Sequence, residues 1–532
     1  MRSAVYNRYW STGGGAEKYG GVIAEVLASD GPLDLLTHDP VDLEWLAERL
    51  RIDLSRVAVR VLDDDGESVT RASADYDLFV NVSYMSADRA ATPRSLYVVH
   101  FPTSLDGHLS LVQRVVAKRA RRLQMIGASM EWGTGFHHRE AGGRGIAWTN
   151  GDGTLWCTTT PGRPLTVLFV FGHQRPRQLP PVRVRIEVDG RVATELVLSA
   201  PRSPVEARLG VAARVEVESS VPDVPVQVRI LSDTFVPADV VGSGDRRRLG
   251  VPLRAMHVGS PVARYSRWIP GFAAGRLSAG WTRSYGAVVS NSEFTREWVD
   301  RYWQCDSTVL YPPVTMHKGG LKEPIILSVG RFFDETQGHS KKQLELVQGF
   351  RSLHAQGVRD WALHLVGGCG VEGRLYVERV KRAAEGLPVE LHLDASGDEL
   401  ESLYARASIY WHAAGLGEDE VRRPDRLEHF GITAVEAMSA GAVPIVAGLG
   451  GLRETVRHGV DGFHFRTIAG LCSESLSLIT NDSMRARMAS SAARRAESFS
   501  VDAFEAGLRR LIDGLPASAD AMTEPQRGSH DQ

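Results

Sequence analysis

Cysteine is scarce: Cys157, Cys305, Cys369 and Cys472 are the four in a chain of 532 residues, and they lie far apart. No pair stands at metal-ligand spacing, so neither a disulfide framework nor a cysteine zinc site is indicated. Charge of one sign is also lacking. The formal net charge is −2, which offers no basic excess to argue for a nucleic-acid partner. No stretch has the uninterrupted apolar run of a membrane span, and the N-terminal MRSAVYNRYWSTGGG has no apolar core of a secretory signal. The expected location is therefore cytoplasmic. A basic run between Arg114 and Arg122 leaves peripheral contact with the inner face of a membrane open, beside the plainer reading as a solvated helix face.

What is present is the composition of a globular protein, 43% hydrophobic and 24% charged, in a chain too long for one ordinary core. LDLLT, VAVRVL, DLFVNVS and SLYVVHF are near-continuous apolar runs, as expected of parallel strands buried on both faces. Helical patterns separate several of them, which predicts a doubly wound α/β unit over residues 1–126. From 127 to 246 the pattern changes to alternating strands with turn signals, including a VDGR hairpin at 188–191. This segment reads as a β-sandwich-like insertion, with Trp132, Trp148 and Trp156 as core residues or stacking platforms. LRAMHVG and GAVVSNS read as strands returning to the first unit, over 247–314. LYPPV at 310–314 reads as a linker, residues 315–515 as a second βα series, and 516–532 as a disordered tail. Two such α/β units put a site in the cleft at the carboxyl ends of their strands.

The most informative stretch is EHFGITAVEAMSAGAVPIVAGLGGLRETVRHGVDGF, from Glu428 to Phe463. Glu428 and Glu436 flank the start of a helix that opens at Gly431. The free N–H groups and positive dipole end at Gly431, Ile432 and Thr433 would face an anion. Glu436, a turn further in, could accept hydrogen bonds from a ribose diol, and Glu428 would reach whatever hangs from the phosphate. Together they describe a site for a nucleotide diphosphate-sugar. Upstream, SVGRF carries Arg331 to a strand end and GHSKKQLELVQGF carries Lys341 and Lys342 to a helix start, cations that suit a diphosphate. His412, in YWHAAG, would lie near the sugar or the phosphates. Asp63, Asp64 and Asp65 form an acidic string in a polar turn and read as solvated loop.

The Glu428–Glu436 unit resembles the E-x7-E signature of the retaining glycosyltransferases of family 4, within the glycosyl transferases group 1, which have the GT-B fold. The resemblance covers the N-terminal βα units, SNSEFTREWVDRYWQCDSTVLYPPV and the C-terminal half, but not the β-rich insertion. It implies two Rossmann-like domains and a metal-independent, configuration-retaining transfer of a hexose from a nucleotide-sugar to a hydroxyl acceptor, glycan or glycolipid. No cofactor or metal is implied, and GDP-mannose or a UDP-hexose is the donor expected from the resemblance. By the same resemblance Arg331 and Lys341 stabilise the leaving phosphates, with Lys342 as substitute. The spacing to Phe350 favours Lys341, although the residue after it is not the family's glycine. Gly13, Gly14 and Gly15 would form the loop over donor phosphates and acceptor, and His100 would contact the transferred sugar. Two other readings stay open: a nucleotide-sugar epimerase or phosphorylase in a similar cleft, and an inactive scaffold that binds glycans through its insertion.

Overall fold

A computed structural model describes residues 1–64, 67–104, 129–132, 135–137, 147–158, 165–176, 178–201, 203–218, 226–241, 247–258, 279–334 and 340–516. The basic run at 114–122, Asp65 and the expected disordered tail beyond 516 lie outside the described residues. The structure contains two parallel sheets, whose strands are numbered here in chain order. The first has β1 (Ser3–Tyr6), β2 (Leu33–Thr37), β3 (Val57–Val61), β4 (Leu78–Asn81), β5 (Ser95–Val99), β6 (Ala287–Ser290) and β7 (Thr308–Val309). Its order is β7-β6-β5-β4-β1-β2-β3. The second has β8 (Glu323–Val329), β9 (Ala362–Gly367), β10 (Val389–Leu393), β11 (Ala407–His412), β12 (Val443–Ala447) and β13 (Phe463–Phe465). Its order is β10-β9-β8-β11-β12-β13. Both are doubly wound. In such sheets ligands bind at the carboxyl ends where the winding reverses, between β1 and β4 in the first and between β8 and β11 in the second.

Six helices bear on the site: α1 (Gly15–Asp30), α2 (Glu293–Trp303), α3 (Gln343–Ala355), α4 (Gly397–Arg406), α5 (Ile432–Ser439) and α6 (Val501–Asp513). In α1, Tyr19, Val22, Ile23, Val26 and Leu27 recur at helical spacing, and all are buried against β1, β2 and β4. α6, the last helix described, crosses back to the first sheet. Its Phe504, Leu508 and Ile512 join the same hydrophobic cluster as Val5 and Leu35. Phe504 meets Tyr19 of α1 edge-on, 5.0 Å between ring centroids. The chain thus ties its two halves together at a second place besides the 310–314 segment.

Between β5 and β6, which pair with each other, the chain builds two five-stranded antiparallel sheets. One runs Val211–Val217, Leu165–Phe171, Pro252–Val258, Ala147–Thr149, Phe136–His137, and the other Arg191–Leu198, Val182–Val188, Val226–Ser232, Asp152–Thr158, Ser129–Trp132. Alternate residues of both, such as Val167 and Phe169 from the first and Val184 and Ile186 from the second, share one buried cluster. Asp189 and Gly190 close the VDGR hairpin with positive φ of 44° and 75°, as a two-residue type I′ turn requires. LRAMHVG does not return to the parallel sheet: Pro252–Val258 pairs antiparallel with Leu165–Phe171. A buried apolar strand reads alike in either setting, and only its pairing partner distinguishes the two. Trp148 is half-buried beside Phe235 and Trp156 is exposed, so neither is a fully enclosed core tryptophan. Asp64 is more than solvated loop, since it pairs with Arg8 at 2.8 Å.

Candidate active site

The carboxyl ends of β8 and β11 meet the start of α5. Gly431 is the N-cap of α5 with φ 95° and ψ 56°, and no side chain caps it. A Cβ there would come within 2.6 Å of Leu452 Cδ2, so both the conformation and the space call for glycine. Among the described residues, nothing hydrogen-bonds the backbone N–H groups of Gly431, Ile432 and Thr433. They and the helix dipole make this end a place for anionic oxygen. The Thr433 hydroxyl is used structurally: it accepts from the Tyr410 hydroxyl at 2.7 Å and so ties α5 to β11.

Glu428 stands just before this helix, its side chain 14% exposed. Lys341 Nζ donates to its Oε2 at 2.5 Å, and His412 Nε2 lies 2.8 Å from the same oxygen. His412, at the end of β11, is buried, and burial lowers its pKa below the ordinary 6.5 despite the carboxylate. Lys342 turns elsewhere: its Nζ lies 3.7 Å from Glu418 Oε1, which Arg426 approaches at 3.6 Å. The structure therefore brings Lys341, not Lys342, to Glu428. Lys342 caps α3 in the left-handed conformation, φ 59°, at the position where the resembled pattern has glycine. Arg331 follows β8 and is exposed, its guanidinium over the Phe333 ring at 5.8 Å, with no ion pair to a described residue.

Glu436, one turn into α5, accepts from the Tyr404 hydroxyl at 2.8 Å through Oε2. Its other oxygen has no partner among the described residues. Burial raises its pKa above 4.5, while Tyr404, Lys18 and Arg51 oppose the rise. Lys18 and Arg51 belong to the N-terminal half, so cations of one half act on a carboxylate of the other. Arg51 also pairs across the halves with Glu401 at 3.5 Å.

The glycine loop faces α5 directly. Gly13 has φ 55°, Gly14 is the N-cap of α1, and its N–H donates to Glu17 Oε2 at 2.9 Å. A Cβ on Gly15 would sit 3.3 Å from Ile432 Cδ1, which places the loop in contact with the start of α5. His100 follows β5. Its Nε2 lies 2.9 Å from the Val82 carbonyl oxygen, to which it donates, and burial lowers its pKa below 6.5. Nδ1 is then the nitrogen left to accept from a ligand hydroxyl. Phe101, the next residue, stacks on His429 with centroids 4.1 Å apart and planes 6° apart. Phe294 and Trp298 of α2 join it against Leu427 and Leu449 of the C-terminal half. Beside this apolar contact, both Glu454 carboxylate oxygens accept from the first N–H groups of α2, at Glu293 (2.8 Å) and Phe294 (3.1 Å).

Sequence reading missed Tyr404, Lys18, Arg51, Glu418 and Glu454 as neighbours of the site. Tyr404, Lys18 and Arg51 are far from the signature along the chain, Glu418 lies shortly before it, and Glu454, in GGLRET, lies within it. Among the described residues, no helix is long and apolar enough to cross a membrane.

Residues 316–495 match the family profile described as "Glycosyl transferases group 1". A stretch of 203 residues is 29% identical to the GDP-Man:Man(3)GlcNAc(2)-PP-Dol alpha-1,2-mannosyltransferase of Dictyostelium discoideum, covering 34% of this chain and 38% of that protein. The Xenopus laevis protein of the same name is 27% identical over 191 residues, covering 33% of this chain and 37% of its own length. The matched region thus spans well under half the length of these relatives. Among solved structures, Anabaena Alr3699/HepE in complex with UDP-glucose superposes with a TM-score of 0.50 at 13% identity, covering 97% of this chain and 100% of that one. The chain has the GT-B fold, and its C-terminal half carries a glycosyl transferases group 1 domain.

Proposed function

We propose that the protein is a glycosyltransferase that moves a hexose from a nucleotide diphosphate-sugar to a hydroxyl acceptor, a glycan or glycolipid, with retention of anomeric configuration and without a metal ion. The observation that carries this reading is the Glu428 carboxylate held between Lys341 and His412 at the uncapped start of α5, one turn from Glu436. The donor's diphosphate would lie against the α5 N–H groups and compete with Glu428 for Lys341, with Arg331 as second cation. Charge developing on the departing phosphate is then met by fixed donors and cations, the part a divalent metal plays in other folds. The open oxygen of Glu436 takes a ribose hydroxyl. Glu428, once released from Lys341, holds hydroxyls of the transferred sugar, and His100 Nδ1 accepts from another. The acceptor hydroxyl enters over the Gly13–Gly15 loop on the same face as the leaving phosphate, which takes its proton. Closure of the apolar contact around Phe101 and His429 limits water, and so hydrolysis.

GDP-mannose is the first donor to try, because the sequence relatives carry GDP-Man in their names, and UDP-glucose the second, because the structural neighbour holds it. Thermal shift against GDP, UDP, ADP and dTDP, with Glu436→Ala alongside, tests the site. One nucleotide should raise the melting temperature of the wild type and not of the variant. Glu436→Ala should also raise the donor KM by about tenfold or more, the loss of a hydrogen bond to a charged group. Turnover of that donor should be unaffected by added Mg²⁺ or Mn²⁺, and NMR of the product should show the donor's anomeric configuration. No shift from any nucleotide, or equal shifts in the variant, would overturn the site.

A further inference from the structure

Two histidines and a glutamate meet at the outer edge of the C-terminal sheet, on residues that the donor site does not use. β10 is the edge strand and pairs in parallel register with β9, so that His364 lies opposite Glu390, and Val366 opposite His392. Glu390 and His392 are two residues apart on one strand and therefore project from the same face. His364 Nδ1 and His392 Nε2 are 3.0 Å apart, and Glu390 Oε2 lies 3.7 Å from the first and 3.8 Å from the second. The point equidistant from these three atoms is about 2 Å from each, the length of zinc bonds to imidazole nitrogen and carboxylate oxygen.

A fourth residue makes this more than a chance cluster. His392 Nδ1 is 2.6 Å from Glu399 Oε1, so its N–H is given to that carboxylate, and the lone pair is left on Nε2, the nitrogen 3.0 Å from His364 Nδ1. A carboxylate behind a ligating histidine is how metal sites fix ring orientation and tautomer. His364 is buried at 6% exposure, whereas Glu390 is largely exposed. Solvent can therefore reach the metal and complete a four-coordinate shell. Two imidazoles and one carboxylate suit a borderline divalent ion such as zinc rather than magnesium or calcium, which take oxygen ligands.

We propose that His364, Glu390 and His392 bind one divalent transition-metal ion of the zinc class, with Glu399 orienting His392. The ion would fasten α4 to the sheet edge, because Glu399 sits in the first turn of that helix. The same helix carries Tyr404, which bonds Glu436, and Glu401, which pairs with Arg51 of the other half. Its place is outside the donor cleft, so a metal here has no part in the metal-independence of transfer.

The test is calorimetric titration of the chelator-stripped full-length protein with ZnCl₂, with Co²⁺ absorption as a spectroscopic check. Expected are one equivalent bound, visible bands of a four-coordinate Co²⁺ site, and a higher melting temperature with zinc. Glu390→Gln, at an exposed position where folding is not at stake, should weaken zinc at least tenfold, and Glu399→Gln about tenfold, the range for lost outer carboxylates. His392→Ala, confirmed folded by circular dichroism, should abolish the site. Absence of zinc binding to the wild type would overturn the proposal. So would binding of unchanged stoichiometry and affinity in Glu390→Gln and His392→Ala, since the ion would then sit on other histidines or on cysteines.

Discussion

At the scale of single residues, the decisive pair is Lys341 and Glu428. Their ion pair is mostly shielded from solvent, and His412 sits on the same carboxylate oxygen. Lys341→Ala removes a cation aimed at developing phosphate charge and takes the lysine from Glu428, which keeps His412. We expect kcat to fall by about 10²-fold to 10³-fold, the usual cost of one electrostatic stabiliser, measured by single-turnover transfer. Lys342→Ala should change kcat by less than about tenfold, because Lys342 faces Glu418. Equal losses in the two variants would reverse the assignment. The sequence could favour Lys341 through its spacing to Phe350. It could not show that Lys342 adopts a left-handed backbone at the helix start, since neighbours rather than its own side chain impose that conformation.

At the scale of elements, α5 is an eight-residue helix, short for independent stability, and exists by burial of Ala434, Val435, Ala437 and Met438. Its first turn is left uncapped by a glycine that also lets the chain approach Leu452. Gly431→Ala meets both a left-handed φ and a 2.6 Å contact. We expect a loss of about 1–3 kcal/mol in stability, read by denaturant unfolding, together with weakened nucleotide binding. A variant of native stability would show that the turn is not strained. In this half β8 to β12 and the helices α3 and α5 were legible, because their apolar runs are bounded by Gly and Pro, whereas α4 and β13 were not singled out. The antiparallel placement of Pro252–Val258 was not legible, since pairing is decided by partners distant along the chain.

At the scale of the whole molecule, the two halves meet at Glu454, at the apolar contact around Phe101 and His429, and where α6 packs against α1. Glu454 binds the start of α2 from the other half, and burial raises its own pKa. Glu454→Ala should cost about 2 kcal/mol for two charge-assisted hydrogen bonds, seen as a lower melting temperature. It should alter kcat more than the donor KM, since most of the donor's proposed contacts, His100 apart, lie in the C-terminal half. A variant in which only KM moves would place Glu454 in donor binding instead. Stability should also depend on pH. Burial lowers the pKa of His100, His317, His412 and His464 below 6.5. The unfolded chain therefore takes up protons that the folded one resists as pH falls through that value, and stability falls with it. Glu436 and Glu454, raised above 4.5, pull the other way by gaining stability as pH drops toward their folded values. His364 is lowered by burial as well, so with five groups against two the melting temperature should decline from about pH 7.5 to about pH 5.5, and a flat or rising profile would refute the balance.

The sequence alone determined the two βα series, the glycine that opens α5, and the residue types placed around it. These are local matters of periodicity, backbone freedom and charge, written within a few residues of one another. Tertiary structure decided which groups meet. It set Tyr404, Lys18 and Arg51 around Glu436, put Gly15 against Ile432, and folded α6 back beneath α1. It also brought His364 to Glu390 and His392 at the sheet edge. Each of these depends on strand order and register, which are set by the summed burial of a whole sheet and leave no mark at any one position.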